Sequence, residues 1–418
     1  MKINRPPRFF YGWIIVGIAI AAMILVAGVR HSFGVFFPAI LDEFGQNRAS
    51  TAIMFSLNIV VFGLLSPVAG ILVDRWKPRL VFLIGIVIMG LATAACGFAR
   101  ELWHLYLLFG VLIPVGTAFS SWPILAPAIA NWFARRVGLA MGLGQMGGGL
   151  SFVYGMLAEL IISQIGWRQA YFTLAGILVV VLSPLCLFFH YRPESKGLKA
   201  YGTVEELPAT DIKLQQIAVK SEPTLSYAIR RYELWLLALT HFLYWGLGVY
   251  LVLAHQVKFT EDVGYSSTFG AGILALFGIF VAAGQLSSSI SDRIGREATV
   301  AIAATLAIIG LIALISVRDT SQPWLLYVYG ICFGYGSGLY SPTAFSGAAD
   351  IFHGRHFGAI AGILIAGMGM GGAIGPWLGG YIYDVSGSYK AAFIVVMVGL
   401  VFACFTYFMA APRKAKIK

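Results

Sequence analysis

Twelve long apolar runs constrain this chain more than any other feature. A helix needs about 20 apolar residues to cross the hydrocarbon core of a bilayer. Runs of that kind lie at about 12–37, 49–72, 79–98, 103–129, 137–163 and 168–191, then at 233–257, 267–291, 298–316, 322–349, 357–382 and 388–411. Barrel strands would be about 10 residues long and alternating, so the runs read as helices. The residues are 59% hydrophobic and 11% charged, against about 45–50% and 25% in soluble domains. That is too little charge to coat a water-facing surface, so lipid is the expected solvent. The first run outlasts a signal h-region and has no small-residue cleavage site, and it reads as a span. Cys96, Cys186, Cys332 and Cys404 all lie in apolar stretches without a C-x-x-C pair and read as small buried hydrophobes.

The longest polar stretch between spans, about 192–232, separates six spans from six. The expected organisation is a six-helix half at 1–191, a cytoplasmic linker at 192–232 and a second six-helix half at 233–418. With the N-terminus placed inside, 22 of the 29 Lys and Arg fall on cytoplasmic segments, six on outer loops and one, Arg30, inside a span. This bias predicts both termini in the cytoplasm and a multi-pass protein of the cytoplasmic (inner) membrane. It also accounts for the net charge of +11 without a nucleic-acid partner.

The halves echo each other. Gly138, Gly142, Gly147 and Gly149 in the fifth run match Gly358, Gly362, Gly367 and Gly369 in the eleventh at an offset of 220, and Asp74-Arg75 matches Asp292-Arg293 at 218. A parallel repeat of this kind predicts an all-α membrane protein of twelve helices in two pseudo-twofold-related halves, with a site between them at mid-membrane. Small residues at four-residue spacing, such as Gly367, Gly371, Gly375 and Gly379, read as close helix packing.

Gly70, Asp74, Arg75 and Arg79 in the loop after the second run resemble the signature of the major facilitator superfamily, with Lys77 where a glycine is usual. A second copy keeps Asp292, Arg293, Gly295 and Arg296, with Ser288 for the first glycine. The resemblance implies a cytoplasmic gate in which these charges latch neighbouring helix ends. Within the superfamily the chain resembles the monocarboxylate and oxalate/formate porter branch. Tyr11-Gly12-Trp13, the segment from Asn131-Trp132-Phe133 to Gly142, the lead-in from Thr224-Leu225 to Trp235, and the Gly375-Pro376 to Tyr389 hairpin carry it. The resemblance implies a secondary transporter that works as a monomer.

Charges inside spans are costly and functional by default. Arg30 lies slightly past the middle of the first span and offers two parallel hydrogen bonds to a carboxylate. The alternatives are snorkelling to the outer headgroups or pairing with Glu159. His31 follows, as a proton carrier near neutral pH or a buried hydrogen-bonded histidine. Adjacent helical residues point about 100° apart, so the two cannot both face one cavity squarely. Tyr340 and then Tyr335, in the tenth span, are the phenols expected to reach substrate. Glu159 and His255, near the outer ends of the fifth and seventh spans, are candidates for proton coupling or an outer gate. The resembling transporters carry an arginine in the eighth span about two turns before Asp292, where this chain has Gly284-Gln285. Gln285 can hydrogen-bond a carboxylate but not neutralise it.

No P-loop occurs, so ATP is not the expected energy source. His353 and His356 flank Arg355, whose charge works against a metal. The chain is expected to use no cofactor, bind no metal and catalyse no reaction. The expected function is secondary active transport of small organic anions, monocarboxylates such as lactate or pyruvate, by alternating access with protons as the coupling ion. The competing readings are an exporter of a drug or neutral metabolite and an oxalate/formate-type anion exchanger.

Overall fold

In the computed structural model, residues 10–133, 136–202, 225–352 and 357–410 are described. Ten helical runs are long and apolar enough to cross a membrane. The longest, Leu139–Phe188, is two crossings joined at Gly166, whose φ of 83° and ψ of 161° interrupt the helix. That backbone favours glycine. Pro323–Ile351, 29 residues long and rich in glycine and tyrosine, is a further crossing. Twelve spans result among the described residues, and an even number returns the chain to the face on which it began, here called the terminal face.

Span 1 is Gly12–Phe44, span 2 Arg48–Arg75, span 3 Pro78–Cys96 and span 4 Leu102–Trp132. Spans 5 and 6 cover 137–165 and 167–188. Span 7 is Tyr232–Val263, span 8 Ser267–Ser287, span 9 Arg296–Ser316, span 10 Pro323–Ile351, span 11 Phe357–Ser386 and span 12 Lys390–Ala410. Among the described residues there is no strand, only a single bridge between Phe133 and Tyr201. Large apolar side chains such as Leu64, Leu91, Phe98 and Val180 are exposed on the outside, as lipid allows.

The three described glycine pairs of the repeat have equivalent surroundings in both copies. Gly147 meets Ile20 and Met23 of span 1, and Gly367 meets Ala238 of span 7. Gly149 meets Ala282 of span 8, and Gly369 meets Gly63 of span 2. Gly142 and Gly362 both face open space. Gly147 and Gly367 therefore serve equivalent contacts within their own halves, while Gly149 and Gly369 make the cross-contacts between spans 5 and 8 and between spans 2 and 11.

The branch motifs at the terminal face tie down the end of span 6. A helix leaves its last carbonyls without intrahelical partners. The Tyr11 hydroxyl donates to Phe188 O at 2.7 Å, Trp132 Nε1–H to His190 O at 2.7 Å, and Asn131 Nδ2–H to Tyr191 O at 3.2 Å. Phe10, Phe133 and Tyr201 pack edge-on or tilted around them.

Spans 8 and 10 meet at glycines. A Cβ on Gly338 would overlap Val281 O, and one on Gly334 would overlap Phe277 O. Gly338→Val is therefore expected to destabilise the protein by about 3 kcal/mol or more, since overpacking forces backbone shifts. Thermal unfolding in detergent checks this, with Gly142→Ala expected to melt at or above the wild-type temperature because its Cβ enters open space.

Candidate functional site

Span 1 breaks where its polar residues sit. Its first helix ends at His31, Ser32 Oγ donates back to Val29 O at 2.9 Å, and a second helix starts at Phe33. Arg30 and His31 thus lie in mid-span at a helix end and point to different neighbours, as the 100° step requires.

Arg30 is 7% exposed. Its guanidinium carbon lies 4.5 Å from the ring centroid of Phe62 on span 2. Nε and Nη1 are buried without a hydrogen-bond partner, and no acidic side chain pairs with Arg30 among the described residues. Tyr250 of span 7 packs against the same span 2. Tyr250 is edge-on to Phe55 of span 2 at 5.8 Å, and a Cβ on Gly372 of span 11 would meet both Ile59 and Tyr250. Arg30 thus stands where spans 1 and 2 meet spans 7 and 11. A buried cation without a counterion is costly, and a bound carboxylate would supply the missing partner.

His31 faces spans 5 and 8. Its ring stacks on Phe152 at 4.1 Å, and Phe152 is edge-on to Phe277 at 5.1 Å. Ser151 Oγ lies 2.7 Å from His31 Nδ1 and donates to Gly148 O at 2.6 Å. With its proton on Gly148 O, the serine accepts from Nδ1–H, which leaves Nε2 of His31 as a lone pair.

The other candidates have neighbours of their own. Tyr340 is fully buried and stacks on Tyr244 at 3.8 Å and 5°, inside the bundle of spans 7, 10 and 12. The Tyr335 hydroxyl is 2.7 Å from Ser287 Oγ. Gln285 Oε1 is buried without a hydrogen-bond partner. Glu159 is 4% exposed and meets Thr268 Oγ1 of span 8 at 3.5 Å, so the Arg30–Glu159 pair is not formed.

Sequence reasoning missed a constellation on the face opposite the termini. Arg48 Nη1 is 2.5 Å from Asp262 Oδ2 of span 7 and donates to the Tyr389 hydroxyl at 2.8 Å. Its guanidinium carbon lies 3.5 Å from the Tyr383 ring centroid. The carboxylate of Asp384, at the end of span 11, accepts the backbone N–H of Arg48 at 3.1 Å and of Ala49 at 2.9 Å. It therefore caps the first turn of span 2 from across the molecule, beside the local cap in which Asn47 Oδ1 accepts Ser50 N–H at 2.7 Å. Tyr389 also bonds His255 Nδ1 at 3.2 Å, and His255 Nε2–H donates to Pro376 O at 2.7 Å. Both nitrogens of His255 are satisfied, and Phe37 of span 1 packs edge-on against its ring at 5.2 Å. Spans 1 and 2 are thereby fastened to spans 7, 11 and 12 on this face. The available signal was Asn47-Arg48 opening a span, with Asp262 and Asp384 ending two others on the same side.

At the terminal face Arg296 joins Asp292 at 2.7 Å, Asp350 at 3.0 Å and Ser291 Oγ at 2.5 Å. This latches the ends of spans 8, 9 and 10, while Arg293 is exposed. In the first copy of the motif a Cβ on Gly70 would meet nothing within 4 Å, and Arg79 is exposed. The side chains of Asp74 and Arg75, and all of His353, Arg355 and His356, lie outside the described residues. No group of three potential metal ligands occurs among the described residues.

The family model described as Major Facilitator Superfamily matches residues 16–320 and 282–418. Monocarboxylate transporter 13 of Rattus norvegicus is 29% identical over 399 residues, which cover 94% of this chain and 87% of that protein. Monocarboxylate transporter 11 of Homo sapiens is 25% identical, covering 93% and 81%. A bacterial homolog of the human lysosomal transporter Spinster, solved in an inward-facing and unoccupied conformation, matches with a TM-score of 0.70 at 16% identity over 96% of this chain and 97% of that one. The last likeness concerns the fold.

Proposed function

Because the chain belongs to the Major Facilitator Superfamily and is a multi-pass transporter rather than an enzyme, we propose that it carries small monocarboxylates with protons across the cytoplasmic membrane, with Arg30 as the anion anchor. The observation that carries this reading is the buried guanidinium of Arg30, whose Nε and Nη1 have no partner where the halves cross. One cation among Phe62, Phe55, Ile59 and Tyr250 matches one carboxylate with a small apolar body. The names of the relatives, monocarboxylate transporters 13 and 11, favour the same cargo.

The carrier works as a monomer with both termini in the cytoplasm, and residues 1–191 rock against 233–418. The fastening by Arg48, Asp262, Asp384, Tyr389 and His255 closes the outer side. Gly142 and Gly362, which face open space nearer the terminal face, fit a cavity that opens inward. Glu159 and Thr268 add a contact between halves at the closed side, and the Asp74/Arg75 and Arg296 motifs form the gate of the other side. His31, with Nε2 as a lone pair, and Gln285 supply hydrogen bonds to the cargo during the cycle.

Lactate and its uncharged analogue lactamide separate this reading from a carrier of neutral metabolites. Unlabelled lactate is expected to compete for binding of labelled lactate to the purified protein, and lactamide to leave it unchanged. Equal competition by lactamide would remove the anion anchor from the mechanism.

A further inference from the structure

His241 of span 7 is 2% exposed and stands 21 residues before Asp262 of the opposite-side lock on the same span. Its Nδ1 lies 2.9 Å from Leu237 O. A carbonyl only accepts, so the proton is on Nδ1, and Nε2 is a buried lone pair without a partner. Its ring centroid lies 5.7 Å from that of Tyr340, which stacks on Tyr244, and both phenol hydroxyls are buried and unpartnered as well. Three such groups in one apolar bundle cost about 1–3 kcal/mol each, a cost that water or a proton would offset.

Polar groups continue from the cluster toward the terminal face: the Tyr407 hydroxyl of span 12 donates to Thr343 O, one turn along span 10 from Tyr340, at 3.3 Å, and Arg296 joins Asp292 and Asp350 beyond. The groups around His241 are Tyr244 on its own helix, Tyr340 and Phe345 on span 10, and Tyr407, Cys404 and the Thr240–Thr406 hydrogen bond toward span 12. From span 11, Gly367 approaches the backbone at Ala238. The charged groups on this side include Glu297, Arg296, Asp350 and Asp292, the exposed Arg293, and the buried Glu233 paired with Arg231 at the start of span 7. Histidine is the member of this set whose ordinary titration falls between pH 5 and 8.

Span 7 also changes its winding here. Residues Phe242–Val249 are π-helical, starting directly after His241 and ending directly before Tyr250, which packs on Phe55 of span 2 beside the Arg30 site. Stretches of π-helix are rare and frequent at functional sites. A change of register in this segment would move Tyr250 relative to Arg30.

We propose that His241 binds the co-transported proton, and that the π-helical segment between it and Tyr250 transmits the charge to the anion site. The proton enters from the terminal face past Tyr407 and Tyr340 or leaves by the same route. It adds to the Nε2 lone pair, Nδ1–H stays on Leu237 O, and the imidazolium gives the same proton back to water later in the cycle. Nothing is oxidised or reduced. This rests on the proton-coupled reading above.

The test uses the full chain in proteoliposomes and two assays of labelled lactate: uptake driven by an imposed proton gradient, and exchange against internal lactate, which needs no net proton movement. His241→Gln is expected to lose gradient-driven uptake and retain exchange, a split that a merely structural role would not produce. Gradient-driven uptake by His241→Gln at the wild-type level overturns the assignment and leaves the proposed function intact. Wild-type uptake that ignores the gradient overturns the coupled reading and the assignment with it. If His241→Gln loses both assays, Tyr340→Phe decides, because it keeps the stacked ring and removes only the hydroxyl. Selective loss of gradient-driven uptake supports the route, and unchanged gradient-driven uptake overturns it.

Discussion

Arg30→Gln is expected to lower lactate transport about 30-fold or more while leaving the protein at least as stable as wild type. The loss follows from removing one side of a buried charge pair, about 2–5 kcal/mol, where 1.4 kcal/mol is tenfold. The retained stability follows from the empty site, in which Nε and Nη1 of Arg30 lack partners and the charge is a cost to the fold. A residue that serves packing would show the reverse, with lower thermal stability and a proportionate loss of transport. Arg30→Lys keeps the charge but not the paired donors, so it is expected to fall between the two.

Arg48→Ala is expected to open the face opposite the termini. It removes the ion pair to Asp262, the hydrogen bond to Tyr389 and the stacking on Tyr383 together. Breaking a largely buried pair costs about 3–5 kcal/mol when one partner stays behind. Part of that loss belongs to the closed state alone, because Arg48 and Asp262 come from spans 2 and 7. A shift of even about 1.4 kcal/mol changes the ratio of closed to open molecules tenfold. Spin labels at Gln46→Cys and Lys390→Cys, placed in a background without the native cysteines, report the separation across this face by pulsed electron resonance. The distance distribution of Arg48→Ala should gain a longer population. An unchanged distribution would mean that Arg48 serves only the local fold.

The fold was legible because its information is local. Run length marks a span, and an offset of 220 between glycines marks the repeat, whose members prove to make matching contacts. The divergent directions of Arg30 and His31 were also legible, since helical geometry separates neighbours. The opposite-face lock was not. Arg48 and Asp384 are 336 residues apart, and nothing in either segment names the other. Arg48 looked like a loop charge until the structure placed it at the start of a helix whose cap comes from span 11. The surroundings of the tenth-span phenols were not legible either, because the stack of Tyr340 on Tyr244 and the bond of Tyr335 to Ser287 depend on which face of span 10 turns inward. Its glycines are on several faces and leave that choice open. The π-helical stretch of span 7 was invisible for a similar reason, because hydrophobic pattern alone does not separate a π turn from an α turn.

On the proposed function, Arg30 anchors the anion of a proton-coupled monocarboxylate carrier. Uptake of labelled lactate into proteoliposomes under an inward proton gradient, measured for wild type and Arg30→Gln side by side, tests it most directly. Gradient-dependent uptake by wild type that the variant loses, with both proteins folded and equally inserted, is the expected result. Equal uptake by the two proteins, or none by folded wild type, would contradict it.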